Sequence, residues 1–379
     1  MYKKYFSKFI KANEGIQHYA AHSHHYWPDV TLDATIEYWN DSAQMVDNKW
    51  DHILGKKVPQ TQKLISEILN FSTPENICFA PNTHDLLIRI ISTFENKKIK
   101  VLATDSEFYS FSRQAHRLSE LNLIDLTLIP SQPFDNFTER FISEIQKQDY
   151  DLVFISQVFF NSGIVVEDLE TIVKSVPNPK TIIMIDGYHG FMAIPTDISK
   201  IEDRVFYMSG SYKYAQGGEG CCFMTIPKGC ELKPTITGWW AGFNDLENTT
   251  SVVTYPNDGY RFAGSTSDYT PLYRLHAVLK LYKDHHISVG ETHAYVQRLQ
   301  KNFLNELDQL KHPHLNRKNL LILDENNHGH FLAFKMPSVE ICNQIKKDLL
   351  EKKITTDSRG DVLRFGFGIY QNEKISGLL

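Results

Sequence analysis

From about residue 77 the chain alternates short apolar runs with stretches of helical period. Ile77–Ala80, Lys100–Thr104, Leu123–Ile129, Asp151–Ser156, Thr181–Ile185, Val205–Ser209 and Gly220–Ile226 read as strands. Between them, helices are predicted after Asn82 to about Phe94, over Phe108–Leu118, over Phe134–Lys147 and over Leu169–Val176. Strands that are apolar nearly throughout are buried on both faces, and their alternation with helices predicts an α/β fold with a mainly parallel sheet. Residues 31–70 predict two helices, with Pro59 near the start of the second. Beyond about residue 265 the texture changes. Helices are predicted over 268–284 and 288–311, then an apolar run Leu320–Leu323, a strand at His330–Phe334, a helix over Val339–Lys352 and a strand at Leu363–Phe367. The expected division is an N-terminal segment 1–30 packing on the small domain and the active site, a large domain 31–265 and a small C-terminal α+β domain 266–379.

A length of 379 residues fits two such domains better than one core. A net charge of -5 without a long basic block argues against nucleic acid and anionic membrane surfaces as partners. No apolar run approaches the ~18 residues of a membrane span. The basic, aromatic start MYKKYFSKFIKANEG has no unbroken apolar core of a secretory signal and is expected to form a short amphipathic helix. The five cysteines show no ladder or CxxC spacing, which suits a reducing, cytoplasmic compartment.

In a parallel α/β sheet, ligands bind beyond the carboxyl ends of the strands. Polar residues fall at those ends here: Asn82, the Ser106-Glu107-Phe108 string and Asp186. Lys213 stands just past an apolar strand, among Ser209-Gly210-Ser211 and ahead of Gly217-Gly218-Glu219-Gly220. Small neighbours let a bulky group approach the backbone. A lysine in a partly desolvated site has a lowered pKa and reacts with carbonyls. Asp186 ends the run TIIMI, where an unpaired carboxylate is costly unless it meets a cation such as a protonated pyridine nitrogen. His189 follows in the string Asp186-Gly187-Tyr188-His189. The histidines His18, His22, His24 and His25 lack an accompanying carboxylate or Cys cluster, so no metal site is expected. The 217–220 loop lacks the GKS/T ending of a nucleotide loop.

The strings DGYH and SGSYKY, with Ser156–Gly163, Gly238-Trp239-Trp240, Arg261–Thr266 and Leu363-Arg364-Phe365-Gly366, resemble the class V branch of the fold-type-I pyridoxal 5′-phosphate (PLP) enzymes. Within it they look most like kynureninase-like proteins. The resemblance implies that Lys213 holds PLP as a Schiff base and shuttles the Cα proton. Asp186 would pair with the pyridinium nitrogen, and His189 would reach the phenolic oxygen or the substrate carboxylate. Asn82 and Thr83 open a helix whose free N–H groups can bind phosphate. Ser211 and Tyr212 would add phosphate hydrogen bonds. Phe108, or a neighbour, would stack on the ring, and Asn161 would contact the cofactor. Trp240 or Trp239, and Thr266 or Ser265, would reach a phosphate, with the second subunit of a homodimer as their source. Arg364 would clamp a substrate carboxylate, and Ser23 and His24 would lie in a substrate-contacting loop.

The expected substrate is a small amino acid. Kynureninase-like hydrolytic Cβ–Cγ cleavage is favoured narrowly by the motifs, with a class V aminotransferase or a related PLP lyase as alternatives. The sequence departs from kynureninases at Phe160 and Asn161, where a tyrosine pair is typical, and in the N-terminal string HSHHYWPD. Against a cysteine desulfurase, no Cys lies in an obvious mobile loop.

Overall fold

A computed structural model describes residues 2–94, 97–245 and 252–373. Seven strands form the large sheet: β1 (Ile77–Ala80), β2 (Ile99–Thr104), β3 (Ile124–Ile129), β4 (Leu152–Ser156), β5 (Ile182–Asp186), β6 (Val205–Gly210) and β7 (Cys222–Thr225). Their spatial order is β1-β7-β6-β5-β4-β2-β3. The five strands from β3 to β6 run parallel, and β7 is antiparallel to both of its neighbours. The α/β sheet is thus mainly parallel, with the reversal confined to one edge.

The apolar character of β4 and β5 follows from their place. Val153, Ile155, Ile183 and Ile185 join the core on one face, and Leu152, Phe154, Ile182 and Met184 join that on the other. Alternate side chains point to opposite faces, so a strand covered on both sides has no solvent position to fill. Phe154 stacks on Phe111 of the helix Tyr109–Glu120 at 3.9 Å.

The C-terminal sheet has three antiparallel strands, β8 (Phe331–Lys335), β9 (Asp357–Arg359) and β10 (Val362–Gly366), in the order β9-β10-β8. The apolar run Leu320–Leu323 makes one bridge from Leu320 to Phe334 and then leaves the sheet. Gln17–His18 pairs in parallel with Ile354–Thr355 as a separate two-stranded sheet, and a parallel bridge from Ala20 to Gly366 ties the N-terminal segment to β10. The helix Val289–Leu310 starts with a reciprocal cap between Ser288 and Glu291. The helix Thr270–Asp284 packs on Val30–Met45 and Val58–Leu69. Between those last two, the predicted helical pair is broken by a 3-10 turn at Val46–Asn48 and a wider turn at Ile53–Lys57, and Pro59 sits in the first turn of the second helix. Among the described residues, no helix is long and apolar enough to cross a membrane.

Candidate active site

The sheet topology brings the suspected residues together at the carboxyl ends of β4, β5 and β6. Asp186 is the last residue of β5 and is buried. Its Oδ1 accepts the Tyr188 N–H at 2.8 Å. Burial raises its pKa, the Tyr188 N–H and the Lys213 charge opposing the shift. Lys213, three residues past β6, is also buried, and its Nζ makes a hydrogen-bond contact with His189 Nε2. Nζ lies 5.2 Å from the Phe108 ring centroid and 5.5 Å from that of Tyr188. Amine and carboxylate lie within electrostatic reach of each other, and an aromatic ring flanks the amine from each of two elements.

Burial depresses the Lys213 pKa to about 7, Asp186 opposing and Arg364 adding to the shift. An amine is nucleophilic when neutral, and this one becomes neutral near pH 7 rather than near 10.5. Cofactor-free protein is expected to react with PLP at Lys213 with a half-maximal rate near pH 7. A midpoint above pH 9, read from the growth of visible absorbance, would contradict the desolvated environment. Burial also pushes His189 well below its ordinary value, so it is a neutral imidazole, and its Nδ1 has no protein partner.

Glu107, from the string after β2, lies under the same strand ends. Its carboxyl accepts from Thr104 Oγ1 at 2.6 Å and from Ser156 Oγ and N–H. Ser156 is the register partner of Asp186. Burial lifts Glu107 to about 8, so it is neutral at pH 7 and spares Asp186 a second full negative charge nearby.

The proposed phosphate contacts divide. Asn82 caps the helix Thr83–Ile91, its Oδ1 accepting Asp85 N–H at 2.8 Å. Ser211 has its hydroxyl committed to Gly218 O, where it holds the turn behind Lys213. Tyr212 is half-buried, with its ring edge to His24 at 5.6 Å. Asn161 accepts from Ser106 Oγ, joining the loops after β4 and β2. Trp240 is buried with Nε1 unpartnered, and stacked Trp239 donates to Thr266 Oγ1 at 3.0 Å. Thr266 is exposed.

Arg364, on β10, is 2% exposed. It donates to Phe160 O and pairs with Asp357, directly across the strand pair. Asp357 also accepts from Ser23 Oγ at 2.8 Å and from Arg359 Nη1 at 2.8 Å. Burial pushes its pKa up, but His22, the Arg364 charge and the Ser23 hydroxyl outweigh it and hold the carboxyl well below the usual range. Ser23 is thus a tether of the N-terminal segment to Asp357, and His24 is exposed. The sequence reading missed Asp357 and His22, because their contacts span the length of the chain. His22 is buried, with Nε2 3.5 Å from Asp357 Oδ2. His25 bonds Tyr26 O and His18 bonds Tyr370 OH, so the four N-terminal histidines point to separate partners. Among the described residues, no group of three or more His, Cys, Asp or Glu is arranged for a metal. Arg364→Ala would strand a largely buried carboxylate, and a stability loss of about 3 kcal/mol is expected in urea unfolding. A loss below about 1 kcal/mol would mean that Arg359 and Ser23 suffice to hold Asp357.

The description Aminotransferase class-V matches residues 20–369. The chain belongs to the class-V aminotransferase family. PLP is that family's cofactor, and the site suits it: a buried reactive amine, a buried carboxylate in need of a cation, flanking rings and a helix N-terminus. Solved structures with a similar fold include a mutant of C-DES with glycine covalently linked to its PLP cofactor (17% identity, 98% of this chain, 95% of that chain, TM-score 0.80). Another is the cystine C–S lyase C-DES with its product cysteine persulfide (18%, 96%, 96%, 0.78). A third is the apo cysteine desulfurase of Thermococcus onnurineus NA1 (16%, 94%, 91%, 0.76). No curated protein matches the chain.

Proposed function

We propose that this class-V protein is a PLP-dependent lyase that breaks a bond at the β-carbon of a small α-amino acid. The observation that carries it is the convergence of Lys213, Asp186 and His189 on one buried site beside Arg364. PLP, when bound, supplies the electron sink that makes the Cα proton removable. Lys213 would hold the cofactor and, once freed by the incoming amino group, take that proton as a neutral amine. Asp186 would keep the pyridine nitrogen protonated. His189 would hold the cofactor's phenolic oxygen or the substrate carboxylate. Asn82 and Thr83 would face the phosphate with Tyr212, and Phe108 would lie on the ring face. Arg364, already fixed by Asp357 and Phe160 O, would orient the α-carboxylate without a rearrangement.

A lyase that releases its product free fits the cysteines best. Cys78, Cys221, Cys222 and Cys342 are buried and Cys230 is half-buried. Cys222 touches the site floor at 3.5 Å from Tyr188 OH, but burial pushes its thiol to about 12. It is therefore a thiol and not a sulfur acceptor at neutral pH. That C-DES is a cystine C–S lyase supports the same reading. Kynureninase-like cleavage has less support: Phe160 and Asn161 provide no phenol where kynureninases carry tyrosines, and the similar folds reported above are C–S lyase and desulfurase structures.

The test offers cystine, cysteine, kynurenine, 3-hydroxykynurenine, aspartate and alanine to PLP-loaded protein. Ammonia and a 2-oxo acid released from cystine or cysteine, without added 2-oxo acid, are expected. Turnover that requires a 2-oxo acid co-substrate, or anthranilate-type products, would overturn the lyase.

The exposed Trp239–Thr266 pair fits a homodimer in which each copy offers this loop to the other's phosphate. Thr266→Ala is expected to weaken PLP retention by about tenfold, the worth of one charge-assisted hydrogen bond. Unchanged retention in equilibrium dialysis would remove Thr266 from the site.

A further inference from the structure

Lys213 is carried on a loop that closes on itself. Gly217 N–H donates to Ser211 O at 2.8 Å, and Gln216 N–H donates to Lys213 O at 3.0 Å. The backbone then runs through the left-handed region at Gln216 (φ 59°), Gly218 (φ 72°) and Gly220 (φ 101°). Gln216 has a side chain, so its conformation needs support from its surroundings. A loop that leaves the sheet ladder must also find other partners for its carbonyls. Here the carbonyls of Gly217, Gly218 and Glu219 are each met by a side chain. Arg274 Nε donates to Gly217 O at 2.7 Å, Ser211 Oγ donates to Gly218 O, and Arg274 Nη2 donates to Glu219 O at 2.7 Å. One guanidinium thus holds the loop on either side of Gly218. Arg274 comes from the helix Thr270–Asp284, and its guanidinium lies 5.1 Å from the ring centroid of Trp27. Trp27 also covers Gly218, where a Cβ would meet its ring at 2.4 Å. From the same helix as Arg274, Tyr282 OH accepts Gln216 Nε2 at 2.7 Å.

We propose that Arg274, backed by Trp27, is a positioning residue that presents the Lys213 amine to the cofactor's aldehyde. This rests on the reading of Lys213 as the cofactor lysine and adds what sets the amine's place. Attachment requires Nζ to add to the aldehyde carbon, after which water leaves, and both reacting atoms must first be held within about 3.5 Å. Arg274 acts on this step through the backbone. A planar guanidinium fixes two acceptors in one geometry, which a single ammonium does not. Without it, the two carbonyls turn to water and the left-handed turn at Gln216 is free to relax. A displacement of about 1 Å at a reacting group lowers a rate by about a hundredfold. Trp27 belongs to the N-terminal stretch that also bonds Asp357 through Ser23. The same stretch therefore braces the lysine loop and the partner of Arg364.

The test separates attachment from binding. Cofactor-free protein is mixed with PLP, and the growth of visible absorbance gives the rate of covalent attachment. Pyridoxine 5′-phosphate, with a hydroxymethyl group in place of the aldehyde, gives the affinity of the pocket without attachment, by equilibrium dialysis. Arg274→Ala is expected to slow attachment by about tenfold or more and to leave pyridoxine 5′-phosphate affinity within about twofold. The pH midpoint of attachment should stay at the wild-type value, because the amine's placement has changed and not its environment. Arg274→Lys, which reaches one carbonyl at a time, should fall between wild type and Arg274→Ala, and it carries the test if the alanine variant fails to fold. Trp27→Ala should slow attachment in the same direction, by about threefold. Wild-type rates in the Arg274 variants, a loss of pyridoxine 5′-phosphate affinity in parallel with the rate, or a shifted midpoint would overturn the positioning role. An unchanged rate in Trp27→Ala would overturn the part given to Trp27. Wild type that binds pyridoxine 5′-phosphate but attaches no PLP at Lys213 would instead overturn the reading of that lysine.

Discussion

Lys213→Ala is expected to abolish covalent cofactor attachment and to lower turnover by about 10⁴-fold, because one side chain both anchors the cofactor and moves the Cα proton. Loss of a group that serves two steps is not compensated by binding alone. The variant should still fold. Lys213 is buried at a cost that depresses its pKa, and its Nζ contact is with His189, which then has room to relax. Thermal unfolding of the cofactor-free variant should match or exceed wild type. Retained turnover would assign the chemistry to another residue.

Asp186→Asn carries the second large effect, with opposite signs in the two states of the protein. The asparagine Oδ1 can still accept the Tyr188 N–H, so local geometry is kept. What is lost is the charge. In the cofactor-free protein that charge is a burden, since burial raises the Asp186 pKa above its ordinary value. A raised carboxyl pKa means that the folded state binds protons more readily than the unfolded one, and stability falls as pH rises through the shifted range. Asp186→Asn should therefore leave cofactor-free stability unchanged or higher at pH 8. With PLP loaded, the pyridine nitrogen loses its counter-charge, and turnover should fall by about 10³-fold, or ~4 kcal/mol. Equal activity of Asn and Asp proteins would show that the carboxylate does not face the ring.

The strand ends were readable in the sequence for a physical reason. A strand covered on both faces is apolar throughout, so an acid closing TIIMI or an amide following ICFAP marks where the sheet meets a ligand face. Lys213 was readable because its flanks are small and its strand is apolar. What was hidden depends on the return of distant chain. Ser23 bonds Asp357 across 334 residues, and no local pattern announces that the aspartate of Thr356-Asp357-Ser358-Arg359-Gly360 will sit against Arg364. Thr356 and Asp357 simply look like turn residues. For the same reason, the sequence points to Ser23 and His24 in this loop but not to the bond of Ser23 with Asp357 or to the inward turn of His22. The hydroxyl of Ser211, suspected of meeting phosphate, closes the turn at Gly218. A local backbone acceptor competes for a serine wherever the chain bends back on itself. Leu320–Leu323 has strand composition, yet it meets only the free edge of β8 and pairs there once. The reversal of β7 is also invisible in composition, because antiparallel and parallel strands buried on both faces look alike.

The measurement that bears most directly on the central claim is chemical trapping. Purified protein is incubated with PLP at pH 8, reduced with borohydride, digested and examined by mass spectrometry. A single stoichiometric pyridoxyl adduct on the peptide bearing Lys213 is the predicted result. Adducts spread over surface lysines, with Lys213 unmodified, would contradict it.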